Sequence, residues 1–352
     1  MSPTVLQVAY PFAPVGPDAV GGAEQVLWQL DRALAAAGGR SIVLAAAGST
    51  AAGELVPMPV LQGAITAAER AAVHAAYRAA ITRLLRGRDV DLVHMHGIDF
   101  HHYLPPAGPP VLVTLHLPPG WYPPAALQPR RPDTWLHPVS QAQYRTCPPS
   151  PALLPPIPNG VPVEELHTPV SRRGFALCLG RICAEKNQHA ALEAGSLAGV
   201  PVLLGGQVFP YAAHERYWRE AVAPLLAAGP HRFLGPVGLA RKRRLLSAAR
   251  CLISASLAPE TSSLVAMEAL ACGTPVVAFP SGALPEIVEH GVTGFLVQDT
   301  REMAEAIRKV HRIDPEDCRA AARSRFSASR TEAAYLALYQ QLAGGRAHAV
   351  PA

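Results

Sequence analysis

Short apolar runs rich in β-branched residues recur along this chain, and the stretches between them carry apolar residues at helical spacing. Thr4-Val5-Leu6-Gln7-Val8-Ala9 reads as a buried first strand, and the loop from Tyr10 to Gly22 is rich in Pro and Gly. A helix is predicted from Ala23, with Val26, Leu27, Leu30 and Leu34 on one face, ending at Gly38-Gly39. Ser41 to Ala46 is a second strand, and a helix from about Ala64 to Arg86 turns Tyr77, Ile81, Leu84 and Leu85 inward. The run from Asp91 to Gly97 is strand and turn, ending near His96, and Val111 to Leu115 is a strand ending at His116. The pattern resumes after Gly174 with strands at 175–179, 202–206, 232–237 and 251–255, alternating with helical stretches. Such alternation predicts parallel sheets with helices on both faces.

One later stretch concentrates the candidate chemistry. From Ala258 to Ala278 the chain reads as loop, helix, turn and strand: Ser262 and Ser263 precede strong helix formers, Gly273 stops them, and Thr274-Pro275 leads into Val276-Val277. The first turn of a helix leaves N–H groups without intrahelical partners at the positive end of its dipole, which suits phosphate or sugar oxygens. Glu260 lies just before this helix and Glu268 within it. Carboxylates accept hydrogen bonds from hydroxyls and are poor phosphate ligands, so a polyhydroxylated ligand that also carries phosphate fits the pair.

The segment resembles the most recognisable motif of the retaining glycosyltransferases of family 4. That motif is two glutamates separated by seven residues and followed by A-x-x-x-G-x-P-V-V-A, here Glu260, Glu268 and Ala269 to Ala278, with the family's continuation from Gly282 to Val297. Gly180-Arg181-Ile182-Cys183-Ala184-Glu185-Lys186-Asn187 is similar to the family's G-R-x-x-x-x-K-N loop, Gly21-Gly22-Ala23-Glu24 to its G-G-x-E loop, and Ile157-Pro158-Asn159-Gly160-Val161 to its I-P-N-G-V turn. The resemblance implies the α/β fold known as GT-B, two Rossmann-like doubly wound domains facing a central cleft. The expected boundaries are 1–165 and 166–329, with a C-terminal helix at 330–345 packing back on the first domain and a frayed tail after Gly344-Gly345.

It further implies a role for each matched position. Arg181 and Lys186 hold the donor diphosphate and neutralise it as it departs. Glu260 takes the hydroxyls of the donor sugar, and Glu268 those of the ribose. Backbone at Ser262, Ser263 and Leu264 faces sugar and phosphate, main chain near Pro236-Val237 meets the base, Gly21 and Gly22 approach the diphosphate or the acceptor, and His116 contacts the donor sugar. His96, ending the neighbouring strand, is placed on the acceptor side. The chain departs from the family at two points: Ser262-Ser263 replaces the usual Phe-Gly, which bears on donor choice, and Pro162 replaces an aspartate, whose role does not carry over.

Composition narrows the classes. The 352 residues suffice for two domains, and the 49% apolar content for two cores. No apolar run approaches the roughly 18 residues of a membrane span, and the N-terminus lacks a secretory pattern, so a cytoplasmic location is expected. A net charge of +5 suits anionic small molecules, with peripheral attraction to the inner membrane face as a secondary expectation, and is too diffuse for nucleic acid. Arg241-Lys242-Arg243-Arg244 reads as a solvated helix face, and the six cysteines as buried hydrophobes. A dinucleotide dehydrogenase is disfavoured because G-x-G-x-x-G is missing. No D-x-D pair of the metal-binding kind is read, and neither a metal nor a further cofactor is expected beyond the donor, a UDP- or GDP-sugar. The expected activity is metal-independent, retaining transfer of a sugar to a hydroxyl acceptor. The alternatives are an epimerase or phosphorylase of the same fold and a non-catalytic nucleotide-sugar-binding module.

Overall fold

The structure is a computed structural model that describes residues 2–61 and 65–345. The helix start expected near Ala64 and the tail expected beyond Gly345 lie outside those residues. The chain divides into two compact units, Met1–Pro158 with Thr331–Ala352, and Asn159–Arg330.

The first unit is built on a parallel sheet of six strands: β1 (Thr4–Val8), β2 (Arg40–Ala46), β3 (Glu54–Met58), β4 (Leu92–Met95), β5 (Val111–Leu115) and β6 (Thr134–Pro138), in the order β3-β2-β1-β4-β5-β6. Strand β3 is not apparent in the hydropathy pattern. Its Pro57 lacks a ladder donor, and the strand sits at the sheet edge, where that lack is tolerated. Helix Gly22–Ala36 buries Val26, Leu27, Leu30 and Leu34. Helix Ala67–Gly87 buries Tyr77, Ile81 and Leu84 and starts at a capping box of Thr66 and Glu69. Both carry the apolar face that their periodicity predicts.

The second unit repeats the plan with β7 (Ala176–Leu179), β8 (Val202–Gly205), β9 (Arg232–Phe233), β10 (Cys251–Ser254), β11 (Val276–Ala278) and β12 (Gly294–Leu296), ordered β12-β11-β10-β7-β8-β9. Renumbered within the unit, this is again 3-2-1-4-5-6, the Rossmann order. Apolar clusters cover both faces of its sheet, one around Ile182, Leu192, Leu204 and Ile253, the other around Leu177, Leu252, Met267 and Leu270. Each such buried aliphatic side chain contributes about 1.5–3 kcal/mol. Five of the six cysteines are buried and Cys147 is half-buried; all are free thiols.

Helix Ala328–Ala343 is the last helix among the described residues, and its Tyr335, Tyr339 and Leu342 are buried. No helix among the described residues is long and apolar enough to cross a membrane.

Candidate functional site

In a 3-2-1-4-5-6 sheet the connections run in opposite directions on either side of strands 1 and 4, and ligands collect beyond the carboxyl ends of those two strands. In the second unit these are β7 and β10. The loop after β7 carries Arg181 and Lys186, and the loop after β10 carries Glu260, Ser262 and Ser263. Residues about 75 positions apart are thus delivered to one edge of one sheet.

The first of these loops is held by backbone. Gly180 N–H donates to Gly205 O and Ile182 N–H to Gln207 O, while Ile182 and Cys183 are buried. Gln188, at the start of helix Gln188–Ala198, donates from Nε2 to the Arg181 carbonyl at 2.6 Å. The Arg181 guanidinium makes no hydrogen bond or ion pair among the described residues. The second loop is tied to the first, since Leu257 N–H, Ala258 N–H and the Ser256 hydroxyl all donate to Glu185 O. Gly282, at φ +57, underlies Glu260; a Cβ there would lie 2.2 Å from Glu260 O and 2.4 Å from Glu260 N, so only glycine lets the loop lie this low.

Lys186 Nζ and Glu260 Oε1 meet at 2.5 Å, the lysine side chain 30% exposed and the glutamate 11%. Eight residues on, Glu268 lies on helix Leu264–Ala271, and its Oε1 accepts from Lys242 Nζ at 2.5 Å. This corrects the reading of the basic run as a solvated face: Arg241 and Arg244 are exposed, but the Lys242 side chain is only 13% exposed and points at the glutamate. Residue order alone could not reveal it, because the partner lies on another helix. Ser263 precedes the helix without a side-chain capping bond. The neighbouring Ser262 is buried, and its hydroxyl has no hydrogen-bond partner among the described residues. Leu264 opens the helix itself. Val237 follows β9 and packs by Gly205, at the carboxyl end of β8.

In the first unit, Gly21 is the extended residue before helix Gly22–Ala36, and a Cβ on it would lie 1.9 Å from the Glu24 carboxylate. His96 and His116 follow β4 and β5, with His96 Nδ1 3.0 Å from His116 Nε2, while the buried His96 Nε2 has no partner among the described residues. Burial pushes the His116 imidazole down to about 3, and His96 is held well below its ordinary value by burial and then by the neighbouring histidines.

Two histidines that the sequence reading left out lie beneath them. Ile157 N–H donates to His137 Nε2, so the neutral ring carries its proton on Nδ1, which faces the Tyr335 hydroxyl at 3.3 Å. Tyr335 in turn lies 3.1 Å from Thr114 Oγ1, which lies 2.7 Å from His94 Nε2, and His94 Nδ1 lies 2.7 Å from the Tyr339 hydroxyl. One direction of donation, from His137 to Tyr339, satisfies every member. The network fastens the last helix to strands β4, β5 and β6. Histidines inside strands count as polar in a hydropathy pattern, which hides such a role.

The expectation about D-x-D pairs needs correction, since Asp89-Val90-Asp91 has that spacing. It precedes β4, at the amino end of the sheet, and Asp91 Oδ2 accepts from Thr4 N–H at 2.7 Å. It therefore stands at the opposite edge from the switch point.

Comparison with known proteins agrees with this geometry. Residues 175–312 match the family described as Glycosyl transferases group 1, and residues 20–152 match Glycosyltransferase Family 4. A D-inositol 3-phosphate glycosyltransferase of Streptomyces griseus is 43% identical over 99 residues, 28% of this chain and 21% of that protein. The chain thus spans about a fifth of the length of such curated relatives. Among solved structures, a sucrose-phosphate synthase from Thermosynechococcus elongatus superposes with a TM-score of 0.80 at 20% identity, covering 97% of this chain and 100% of that one. HepE from Anabaena, in complex with UDP-glucose, superposes with a TM-score of 0.72 at 20% identity, covering 97% and 99%. At such identities the likeness establishes the GT-B fold.

Proposed function

Because the chain belongs to the group 1 and family 4 glycosyltransferases, we propose that it moves a sugar from a nucleotide-diphosphate-sugar donor to a hydroxyl acceptor, with retention at the anomeric carbon. The observation that carries the reading is the Lys186–Glu260 pair at the switch point of the second sheet, with the Arg181 guanidinium on the same loop unpaired among the described residues. An incoming donor divides the pair's two halves between its own groups. Lys186, as a point charge, and Arg181, as a planar fork, take the diphosphate oxygens. Glu260, released from the lysine, accepts from the sugar hydroxyls. Glu268 has lone pairs beyond the one engaged by Lys242 and accepts from the ribose. The Ser262 hydroxyl then meets the sugar, the N–H groups of Ser263 and Leu264 meet sugar and phosphate, and main chain at Val237 meets the base.

Bond cleavage leaves negative charge on the departing diphosphate, and Arg181 and Lys186 stabilise it there more than in the ground state. The acceptor hydroxyl attacks from the same face and passes its proton to that phosphate, so no separate side-chain base is needed. In the first unit, Gly21 and Gly22 offer backbone to the diphosphate or acceptor, His116 an imidazole to the donor sugar, and His96 one to the acceptor. The solved complex of HepE with UDP-glucose supports a UDP-sugar as the donor, ahead of a GDP-sugar. The acceptor is a hydroxyl-bearing glycan, glycolipid or natural product, met in the cytoplasm or at the inner membrane face.

The test is the thermal midpoint with UDP, GDP, ADP, dTDP and CDP, each with and without EDTA. A nucleotide at about 100 times its Kd adds about 2.7 kcal/mol. A shift with UDP that survives EDTA, followed by turnover of a UDP-sugar, is expected. No shift with any nucleotide would overturn the reading in favour of a phosphorylase-like activity.

A further inference from the structure

The loop that carries Arg181 and Lys186 also bears part of a second cluster, to which the proposed transfer assigns no role. Cys183, Glu185 and His214 bring one thiol, one carboxylate and one imidazole together, their ligand atoms all within 4.8 Å of one another. Cys183 immediately precedes the short turn Ala184–Lys186 after β7, Glu185 lies within that turn, and His214 lies on helix Ala212–Tyr217. We propose that these three side chains form a binding site for a single divalent ion of the zinc class.

Four observations carry this. First, the donor set is mixed: a soft thiolate, a borderline imidazole and a hard carboxylate together suit Zn²⁺ and disfavour Mg²⁺ or Ca²⁺, which take oxygen. Second, His214 Nδ1 is shut off from solvent and has no hydrogen-bond partner among the described residues, an arrangement that costs free energy unless something binds there. Third, the scaffold is prepared. The His214 ring is set edge-on against Tyr211 at 5.2 Å, Cys183 is buried, and Glu185 O is anchored by three donors from the loop after β10. Fourth, the distances are within reach. Tetrahedral bonds of about 2.0–2.3 Å place ligand atoms about 3.5 Å apart, so closure requires a shift of about 1 Å, which the exposed Glu185 side chain can make.

Three protein ligands leave a fourth position for water or an anion, as in zinc sites that are not purely structural. Binding requires loss of the Cys183 proton, which passes to solvent, so affinity rises with pH. The turn that bears Glu185 and directly follows Cys183 ends in Lys186. Occupancy would therefore stiffen the segment that offers Lys186 to a diphosphate, and it adds positive charge close to Arg181.

The experiment uses Co²⁺ as a spectroscopic substitute on the full chain, with no nucleotide present, so that its outcome is independent of the proposed transfer. One equivalent of Co²⁺ is expected to produce a sulfur-to-cobalt charge-transfer band that one equivalent of Zn²⁺ abolishes. Cys183→Ser should eliminate the band, and His214→Ala, at a half-exposed position, should weaken binding by at least about tenfold. Cys147→Ser should leave the band intact, which separates this site from the most accessible other thiol. Absence of a band, or a band that survives both Cys183→Ser and His214→Ala, would overturn the site.

Discussion

Lys186 Nζ and Glu260 Oε1 stand 2.5 Å apart with 74 positions of sequence between them. Each comes from the carboxyl end of a different strand, β7 and β10, and each satisfies the other while no ligand does. The pair therefore predicts separable effects. Glu260→Ala should abolish transfer and leave nucleotide affinity within a few-fold. Lys186→Ala should weaken nucleotide binding by about 10- to 100-fold, the worth of a hydrogen bond to a charged group at about 1.5–3 kcal/mol. Calorimetric titration with UDP measures both, and simultaneous loss of affinity in Glu260→Ala would mean that the roles are misassigned.

Lys242 and Glu268 form the more buried pair, at 13% and 6% side-chain exposure. Removing one partner of a buried pair strands the other charge, at a cost of about 3–5 kcal/mol. Lys242→Met should lower unfolding stability by that order, whereas exposed Arg241→Met should change it by less than about 0.5 kcal/mol. Urea denaturation of the two variants side by side decides. Equal, small effects would return Lys242 to the solvated face that the sequence suggests.

The buried histidines make stability depend on pH. Burial holds His116 and His137 down to about 3, from an ordinary 6.5, and His94 and His96 well below the same value. Below about pH 6.5 the unfolded chain binds protons that the folded chain refuses. Stability is therefore complete above that pH and falls as the medium is acidified toward pH 3, by about 1.4 kcal/mol per pH unit for each such histidine. Urea midpoints measured between about pH 7.5 and about pH 5.5 should fall, and a flat profile would contradict the neutral network.

Ser262 buries a hydroxyl that has no partner among the described residues. Ser262→Ala should leave the free protein as stable or raise its stability by up to about 1 kcal/mol, because an unsatisfied polar group is removed. The same change should raise KM for the sugar donor while leaving the affinity for the free nucleotide unchanged. Thermal melts with and without UDP, set beside initial rates, check both halves. A large loss of stability without ligand would show that the hydroxyl serves the fold.

Much of this was legible along the chain. Apolar runs alternating with helical periodicity are enough to call for parallel sheets covered on both faces, because strands buried on both sides must be apolar throughout. The helix of 264–271 and its terminating Gly273 follow from local grammar, and the spacing of Glu260 and Glu268, like Arg181 and Lys186 on one loop, is visible in the residues themselves. These features were set by short-range backbone and side-chain preferences, which sequence order carries directly. Tertiary structure alone decided who meets whom. It turned Lys242 from solvent to Glu268, placed Asp89-Val90-Asp91 at the amino end of the sheet, admitted Pro57 to an edge strand, and linked His94 and His137 through Thr114 to the two tyrosines of the last helix. Those outcomes depend on which strand lies beside which and on what burial does to charge, and neither is a property of neighbouring residues.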